Sequence, residues 1–180
     1  MRLRAFEGRD VEMVRNLSTD PYVPLTGSLP SHACVADARA WIGRQHERLA
    51  TGVGYSFCIA AVADDRALGQ AGLWLRAVDQ GRATVGYGVA PVARGRGVAA
   101  VALLALTGFA WTDPRVHRVE LYIEPWNTAS VRTAERAGYR AEGLLRSHQV
   151  IGARRVDMTI YAALRPDRRQ PEPAKGTVGT

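Results

Sequence analysis

Lysine is nearly missing from this 180-residue chain: Lys175 is the single one among 24 Lys and Arg, against 17 Asp and Glu. The formal net charge of +7 is therefore arginine charge. A basic surface can attract a phosphate backbone without any motif. Here Arg165, Arg168 and Arg169 fall near the C-terminus and the other arginines are scattered singly. That distribution weighs against nucleic acid as the main partner and suits an acidic small molecule, and arginine in place of lysine fits the composition of a source genome. Cysteine is scarce too. Cys34 and Cys58 show neither metal-ligand nor redox spacing, so they offer no metal centre, and their small number suits a reducing cytoplasm. Long apolar runs are also lacking: the longest, residues 98–111, contains Thr107 and Gly108 and is too short to span a bilayer. The first seven residues mix charged and apolar side chains, unlike a signal peptide. With 47% hydrophobic and 23% charged residues, the composition fits one domain with a sizeable core over residues 1–165. A proline-rich, charged tail over residues 166–180 is expected to be disordered.

Leu3 and Phe6 alternate with arginines in a short first strand. Val11, Val14 and Leu17 then stand at helical spacing, with Asp10 placed to cap the helix. Residues 20–31, with Pro21, Pro24, Gly27 and Pro30, read as a long loop; such length is uncommon without a function, which makes this loop a candidate substrate wall. A second helix fits residues 35–50, with Ala38, Trp41, Ile42 and Leu49 near one face and Ser31 or Asp37 as its cap. Residues 55–62 and 67–75 form a hairpin, and Asp79, Gln80 and Gly81 turn the chain into a third strand, residues 83–89. After an apolar helix from Val98, Asp113-Pro114 breaks the chain and residues 118–124 alternate as a strand. A helix separates this strand from the one before, so the two are expected to run parallel. A short helix over residues 128–137, capped by Asn127 and stopped at Gly138, precedes a closing hairpin of residues 139–151 and 154–164 that turns at Gly152.

The chemistry concentrates where the third strand leads into the apolar helix, through the loop Arg94-Gly95-Arg96-Gly97. Glycine lets backbone N–H groups approach an anion, and the first N–H groups of a helix have no intrahelical partner. The helix dipole adds partial positive charge at the same place, and Arg94 and Arg96 add full charges. Such a loop is built to hold a pyrophosphate. Gly95-Arg96-Gly97-Val98-Ala99-Ala100 also fits a dinucleotide-binding fingerprint, with Glu120 and Glu124 at a suitable distance beyond. Against that reading, residues 91–94 separate the strand from the first glycine, one strand–helix unit follows instead of several, and a meander precedes it.

A second stretch completes the pattern: Asn127-Thr128-Ala129-Ser130 opens a helix that ends Ala137-Gly138-Tyr139. Arg94 to Ala99 matches the Arg/Gln-x-x-Gly-x-Gly/Ala signature of the GNAT superfamily of acyl-CoA N-acyltransferases. The second stretch resembles the Asn-x-x-Ser and Gly-aromatic pattern of its RimJ/RimL-like branch. Residues 85–91 resemble that branch's cofactor strand, and Glu142-Gly143 with residues 157–161 resemble its closing hairpin. The similarity covers most of residues 3–164 and is weakest over residues 20–53. It implies an α/β (α+β) fold, a mixed and mostly antiparallel sheet of about six to seven strands flanked by about four helices, with a splayed central strand pair. Acetyl-CoA, the acyl donor, would lie in the splay, with no metal involved, and a homodimer is compatible with the family.

By the same resemblance the backbone of Tyr87, Gly88 and Val89 bonds the pantetheine arm. Arg94, Gly95, Arg96, Gly97, Val98 and Ala99 hold the pyrophosphate, and Asn127 adds a contact. An amine attacking a thioester builds an oxyanion, which a backbone N–H near Val89 would stabilise, and the departing thiolate needs a proton. Ser130 is assigned as that acid, or as the group that fixes the sulfur; as a plain helix serine it would do neither. The tyrosine acid of many relatives outside the branch falls at Ala134, which closes that route, and Val101 stands where the branch usually has a glutamate. Glu120, Tyr122 and Glu124 share one strand face, but a strand carboxylate is more often solvated than catalytic, so the general base stays open. His148 reads as structural, Asp157 as hairpin support, Trp41, Trp74 and Trp111 as core, and Trp126 as a candidate for the acceptor pocket. The expected activity is direct transfer of an acetyl group to a primary amine, on a protein N-terminus or a small molecule, in the cytoplasm. The alternative is a catalytically idle relative that senses acyl-CoA or binds nucleic acid.

Overall fold

The computed structural model describes residues 1–166. Period-two patterning builds β1 (Arg2–Arg4), β2 (Gly54–Ala60), β3 (Ala67–Ala77), β4 (Arg82–Val89), β5 (Arg118–Ile123), β6 (Arg140–Ile151) and β7 (Arg154–Leu164). They form one sheet ordered β1-β2-β3-β4-β5-β7-β6. Among the described residues β4 and β5 are the one parallel pair, as the helix between them requires. The helices are α1 (Val11–Leu17), α2 (Val35–Ala50), α3 (Val98–Ala110) and α4 (Thr128–Arg136). This is the mixed, mostly antiparallel architecture expected, and it leaves no room for the repeated crossover units of a dinucleotide-binding domain.

Each face of the sheet carries its own core because successive side chains alternate. Ile59, Leu73, Val85, Val119 and Leu121 pack with Leu103 and Leu106 of α3 and Ala134 of α4. On the other face Cys58 and Ala60 meet Val14 and Leu17 of α1 and Trp41 and Ile42 of α2. α4 ends as its sequence dictates: Gly138 takes φ 80° and Tyr139 N–H bonds the Ala134 carbonyl at 3.0 Å. The buried Tyr139 hydroxyl then meets Thr107 Oγ1 at 2.6 Å, which ties α4 to α3. In the closing hairpin, Ser147 adopts φ 52° inside a bulge, and Asp157 Oδ1 accepts its N–H at 2.7 Å.

Several local expectations change. Phe6 lies beyond β1, but it is buried edge-on to Trp41 at 5.2 Å. Ser31 takes no part in starting α2; Cys34 does, its Sγ accepting Asp37 N–H at 3.4 Å while Asp37 Oδ2 accepts Cys34 N–H at 3.0 Å. Trp74 is half-buried on an open part of the sheet face instead of inside the core. The expected disordered tail lies, apart from Pro166, outside the described residues.

Asp10 does not cap α1 with its side chain. It is 2% exposed, and its carboxylate accepts two bonds from Arg4 at 2.7 Å each and the Glu7 N–H at 2.8 Å. Burial opposes its ionisation, but the Arg4 guanidinium and the Glu7 N–H outweigh that and hold the carboxyl below its ordinary value. A carboxyl with a depressed folded pKa contributes stability above its unfolded value and loses it as pH falls through the folded one. Asp10→Asn is therefore expected to cost about 2 kcal/mol at neutral pH by removing the charge from these bonds, while Arg4 keeps its pairing with Asp65 at 3.1 Å. Urea unfolding from pH 7 to pH 3 should show the gap between the two proteins closing below about pH 4.

Candidate functional site

The ladder between β4 and β5 joins Arg82, Ala83 and Thr84 to Arg118, Val119 and Glu120 and goes no further. Beyond it β4 stays on β3 as far as Val89 and β5 stays on β7 as far as Ile123, so a wedge opens between them. Ala90 N–H bonds the Leu68 carbonyl at 2.9 Å. Antiparallel alternation then turns Gly88 and Gly86 toward β3 and leaves the N–H and C=O of Tyr87 and Val89 facing the wedge. Two cavities occupy it, of about 600 Å³ and about 480 Å³. Tyr22, Gln70, Tyr87, Asn127 and Ser130 line both.

The larger cavity is bounded by the glycine loop and the two helix starts. Gly95 has φ 77° and Gly97 φ 71°, and a Cβ at either would meet nothing within 4 Å. Left-handed backbone, not crowding, is what requires glycine here. The first bond of α3 runs from Val101 N–H to the Gly97 carbonyl at 3.3 Å, which leaves the N–H groups of Val98, Ala99 and Ala100 outside the helix ladder. Tyr87, Gly88, Val89, Arg94, Gly95, Gly97, Val98, Ala99, Asn127 and Ser130 all line this cavity. Arg96 is exposed and stands apart from it.

The arginines do not behave as a free pair of charges at the loop. Arg94 donates its Nε to the Val89 carbonyl at 3.0 Å and pairs with Asp20 at 2.6 Å. Asp20 also accepts the N–H groups of Tyr22 and Val23, each at 2.8 Å. Burial works against its charge, but those two N–H groups and Arg94 prevail and keep its carboxyl below the ordinary value. The cationic lining that sequence reasoning overlooked is Arg132 and Arg136, with Thr133 between them. Their i, i+4 spacing on an amphipathic helix was the available signal.

Asn127 caps α4, its Oδ1 accepting Ser130 N–H at 3.1 Å. Tyr87 reaches across the wedge, its hydroxyl 3.5 Å from the Ser130 carbonyl. Burial pushes the Tyr87 phenol up, while the hydroxyl groups of Ser130 and Thr133 beside it pull the other way. Trp126 is 61% exposed and stands edge-on to Tyr22 at 5.3 Å. It lines the larger cavity and not the smaller one.

The expectation that carboxylates on this strand face are solvated fails: Glu120 and Glu124 are both buried. Glu120 is neutralised by Arg118 at 2.7 Å and accepts the Tyr122 hydroxyl at 2.9 Å. Glu124 lines the smaller cavity and has no cationic partner among the described residues. Burial first, and then the adjoining Glu124 carboxylate, push the Tyr22 phenol well up. His148 is exposed and stacks on Tyr122, a lining residue of the smaller cavity, with ring centroids 5.1 Å apart.

Residues 1–140 match the acetyltransferase (GNAT) domain family. A probable N-acetyltransferase of Bacillus subtilis, YjcK, is 31% identical over 138 residues, 76% of each chain. An uncharacterized N-acetyltransferase of Bacillus licheniformis, p20, is 26% identical over 92% of this chain and 93% of its own. Among solved structures, Mycobacterium smegmatis RimJ in complex with CoA-disulfide superposes with a TM-score of 0.78 at 25% identity, covering 93% of this chain and 83% of that one.

The left-handed loop gives a direct test of why glycine is there. Gly97→Ala is expected to lower unfolding free energy by about 1–2 kcal/mol. Gly97→Asn, whose side chain tolerates that backbone region, should recover much of the loss in the same denaturation experiment.

Proposed function

The chain belongs to the GNAT family of acetyltransferases, and from that premise we propose that it moves the acetyl group of acetyl-CoA to a primary amine admitted through the smaller cavity. The observation that carries this reading is the meeting of two cavities at Ser130 inside the β4–β5 wedge. One cavity has the glycine loop at its wall, and the other has a buried carboxylate without a cation.

The donor takes the larger cavity. Its pyrophosphate is met by N–H groups at the start of α3 and by the loop backbone, with Arg132 and Arg136 as the nearby charge. Arg94 then acts mainly as a strut to Asp20. The pantetheine amides bond to the unpaired backbone of Tyr87, in the manner of an added strand, while the Val89 carbonyl keeps Arg94 Nε. The Val89 N–H faces the place where charge builds on the thioester oxygen. Ser130 supplies the proton to the leaving sulfur or fixes it in place, and Asn127 holds the turn that carries Ser130. On the other side, Glu124 receives the ammonium form of the acceptor and takes its proton, directly or through water. Glu120 is excluded from that task by its bonds to Arg118 and Tyr122. The acceptor is a protein N-terminus or a small amine, and the cytoplasm, where acetyl-CoA is at hand, is the proposed place of action.

Acetyl-CoA at about a hundredfold excess over its Kd should stabilise the protein by about 2.7 kcal/mol, read as a rise in Tm. Free thiol should appear only when an amine is present. A protein that shows neither is not this enzyme, and one that binds without turnover over a broad amine panel is an acyl-CoA sensor. Ser130→Ala and Glu124→Gln should each lower kcat by about 10²-fold or more. Acetyl-CoA affinity should be unchanged in Glu124→Gln, because that carboxylate lies outside the donor cavity.

A further inference from the structure

Two cations on the wall of the larger cavity are uncommitted. Ala129, Arg132, Thr133 and Arg136 lie at i, i+3, i+4 and i+7 on α4 and present one face of that helix to the cavity. Thr133 is occupied, its hydroxyl donating to the Ala129 carbonyl at 2.9 Å. Arg132 and Arg136 are exposed, and neither has a salt bridge or a side-chain hydrogen bond among the described residues. Glu135, the one carboxylate of α4, pairs with neither. Residues at i and i+4 stand about 5–6 Å apart at Cβ, close enough for two guanidiniums to converge on one anion. Each guanidinium offers a fork of N–H donors that matches phosphate oxygens.

The wall formed by the start of α3 already has an anion binder of a different kind. The N–H groups of Val98, Ala99 and Ala100 lie outside the helix ladder, and they meet an anion with no side-chain charge. Arg94 is held by the Val89 carbonyl and by Asp20, so its guanidinium is already engaged. The cavity therefore presents two anion-binding features on two helices, one of backbone and one of side chains. Ala99, Ala100 and Ala129 contribute only methyl groups to these walls, so they add little bulk around either feature. Arg136 is six residues beyond Ser130, about 9 Å along the helix axis, well away from the place proposed for the thioester.

Coenzyme A likewise carries two anionic centres, the pyrophosphate and a phosphate monoester on the 3′-oxygen of its ribose. A monoester carries a charge of about −1.5 to −2 near pH 7, which two guanidiniums balance. The geometry points to Arg132 and Arg136 as the site of that ribose 3′-phosphate, so that this pair, and not the glycine loop, tells coenzyme A from 3′-dephospho-coenzyme A. This rests on the acetyl-CoA reading above. The two nucleotides are identical at the pyrophosphate, so a site made of backbone N–H groups holds them alike. Discrimination falls to side-chain charge at the phosphate they do not share.

The test measures binding of coenzyme A and of 3′-dephospho-coenzyme A by calorimetry. The proteins are the wild type, an Arg132→Ala/Arg136→Ala double variant and an Arg132→Lys/Arg136→Lys double variant. The wild type should bind coenzyme A about tenfold or more tightly than the dephospho form. The alanine variant should bind the two alike, with the loss falling on coenzyme A. The lysine variant, which keeps the charge without the fork, should lie between. The wild-type comparison stands whether or not a variant folds. Equal affinity of the wild type for both nucleotides overturns the inference and leaves the acetyl-CoA reading in place. An equal loss for both in the alanine variant also overturns it, and gives the arginines to the pyrophosphate. A wild type that binds neither nucleotide overturns the acetyl-CoA reading and this inference with it.

Discussion

The parallel ladder of β4 and β5 lasts three residue pairs, and then each strand is held only by its outer neighbour, β3 or β7. Unpaired backbone groups in a partly buried place cost free energy until something bonds them. The wedge is therefore a standing demand for bonding partners, made by the Tyr87 backbone and the Val89 N–H, while Arg94 already serves the Val89 carbonyl. Neither strand can close the gap, because both outer ladders continue well past the point of parting. Tyr87 and α4 fill the floor of the wedge, with the Tyr87 hydroxyl set against the first turn of α4. The two cavities and Ser130 between them are brought together by this single interruption of a sheet.

Two carboxylates four residues apart on β5 show how charge is apportioned around the interruption. Arg118 stands two residues before Glu120, on the same face of the strand, and reaches it at 2.7 Å. The corresponding position before Glu124 is Tyr122, which turns its hydroxyl to Glu120 instead. Glu120 is thereby spent on holding the strands where they still pair, and Glu124 is left lining the smaller cavity with no cationic partner among the described residues. Arg94 is spent in the same way. Its bond to Asp20 ties the loop that carries Tyr22 to the loop that starts α3.

Much of this was legible from local pattern. The strands follow from period-two alternation, and α4 from an Asn cap and a Gly stop whose side-chain and backbone bonds are all made within a few residues. The glycine loop was legible for the same reason, and its positive φ values add a backbone reason for glycine that the sequence reading did not use. What was not legible depends on contacts between distant segments. Arg94 and Asp20 are far apart in sequence, so the loss of that guanidinium as a free charge could not be read from the loop. Burial of Glu124 depends on the residue 20–26 loop folding over it, and the stretch that includes that loop was the one with the weakest resemblance. Trp74 has the composition of a core residue, but two glycines on neighbouring strand positions leave it a bare sheet face to lie on.

The two cavities differ in what builds them, and with the donor proposed for the larger and the acceptor for the smaller, that difference explains why the donor is easier to read than the acceptor. The donor side is made of N–H groups, positive-φ glycines and a helix start, features that any sequence able to form the loop must reproduce. The acceptor side is made of Tyr22, Trp74, Arg76, Tyr122 and Glu124, side chains that can be exchanged without disturbing a single ladder bond. A fold organised in this way keeps one donor and is free to change its acceptor. The acceptor must then be argued from charge at those positions, where a buried carboxylate without a cation calls for a positively charged group.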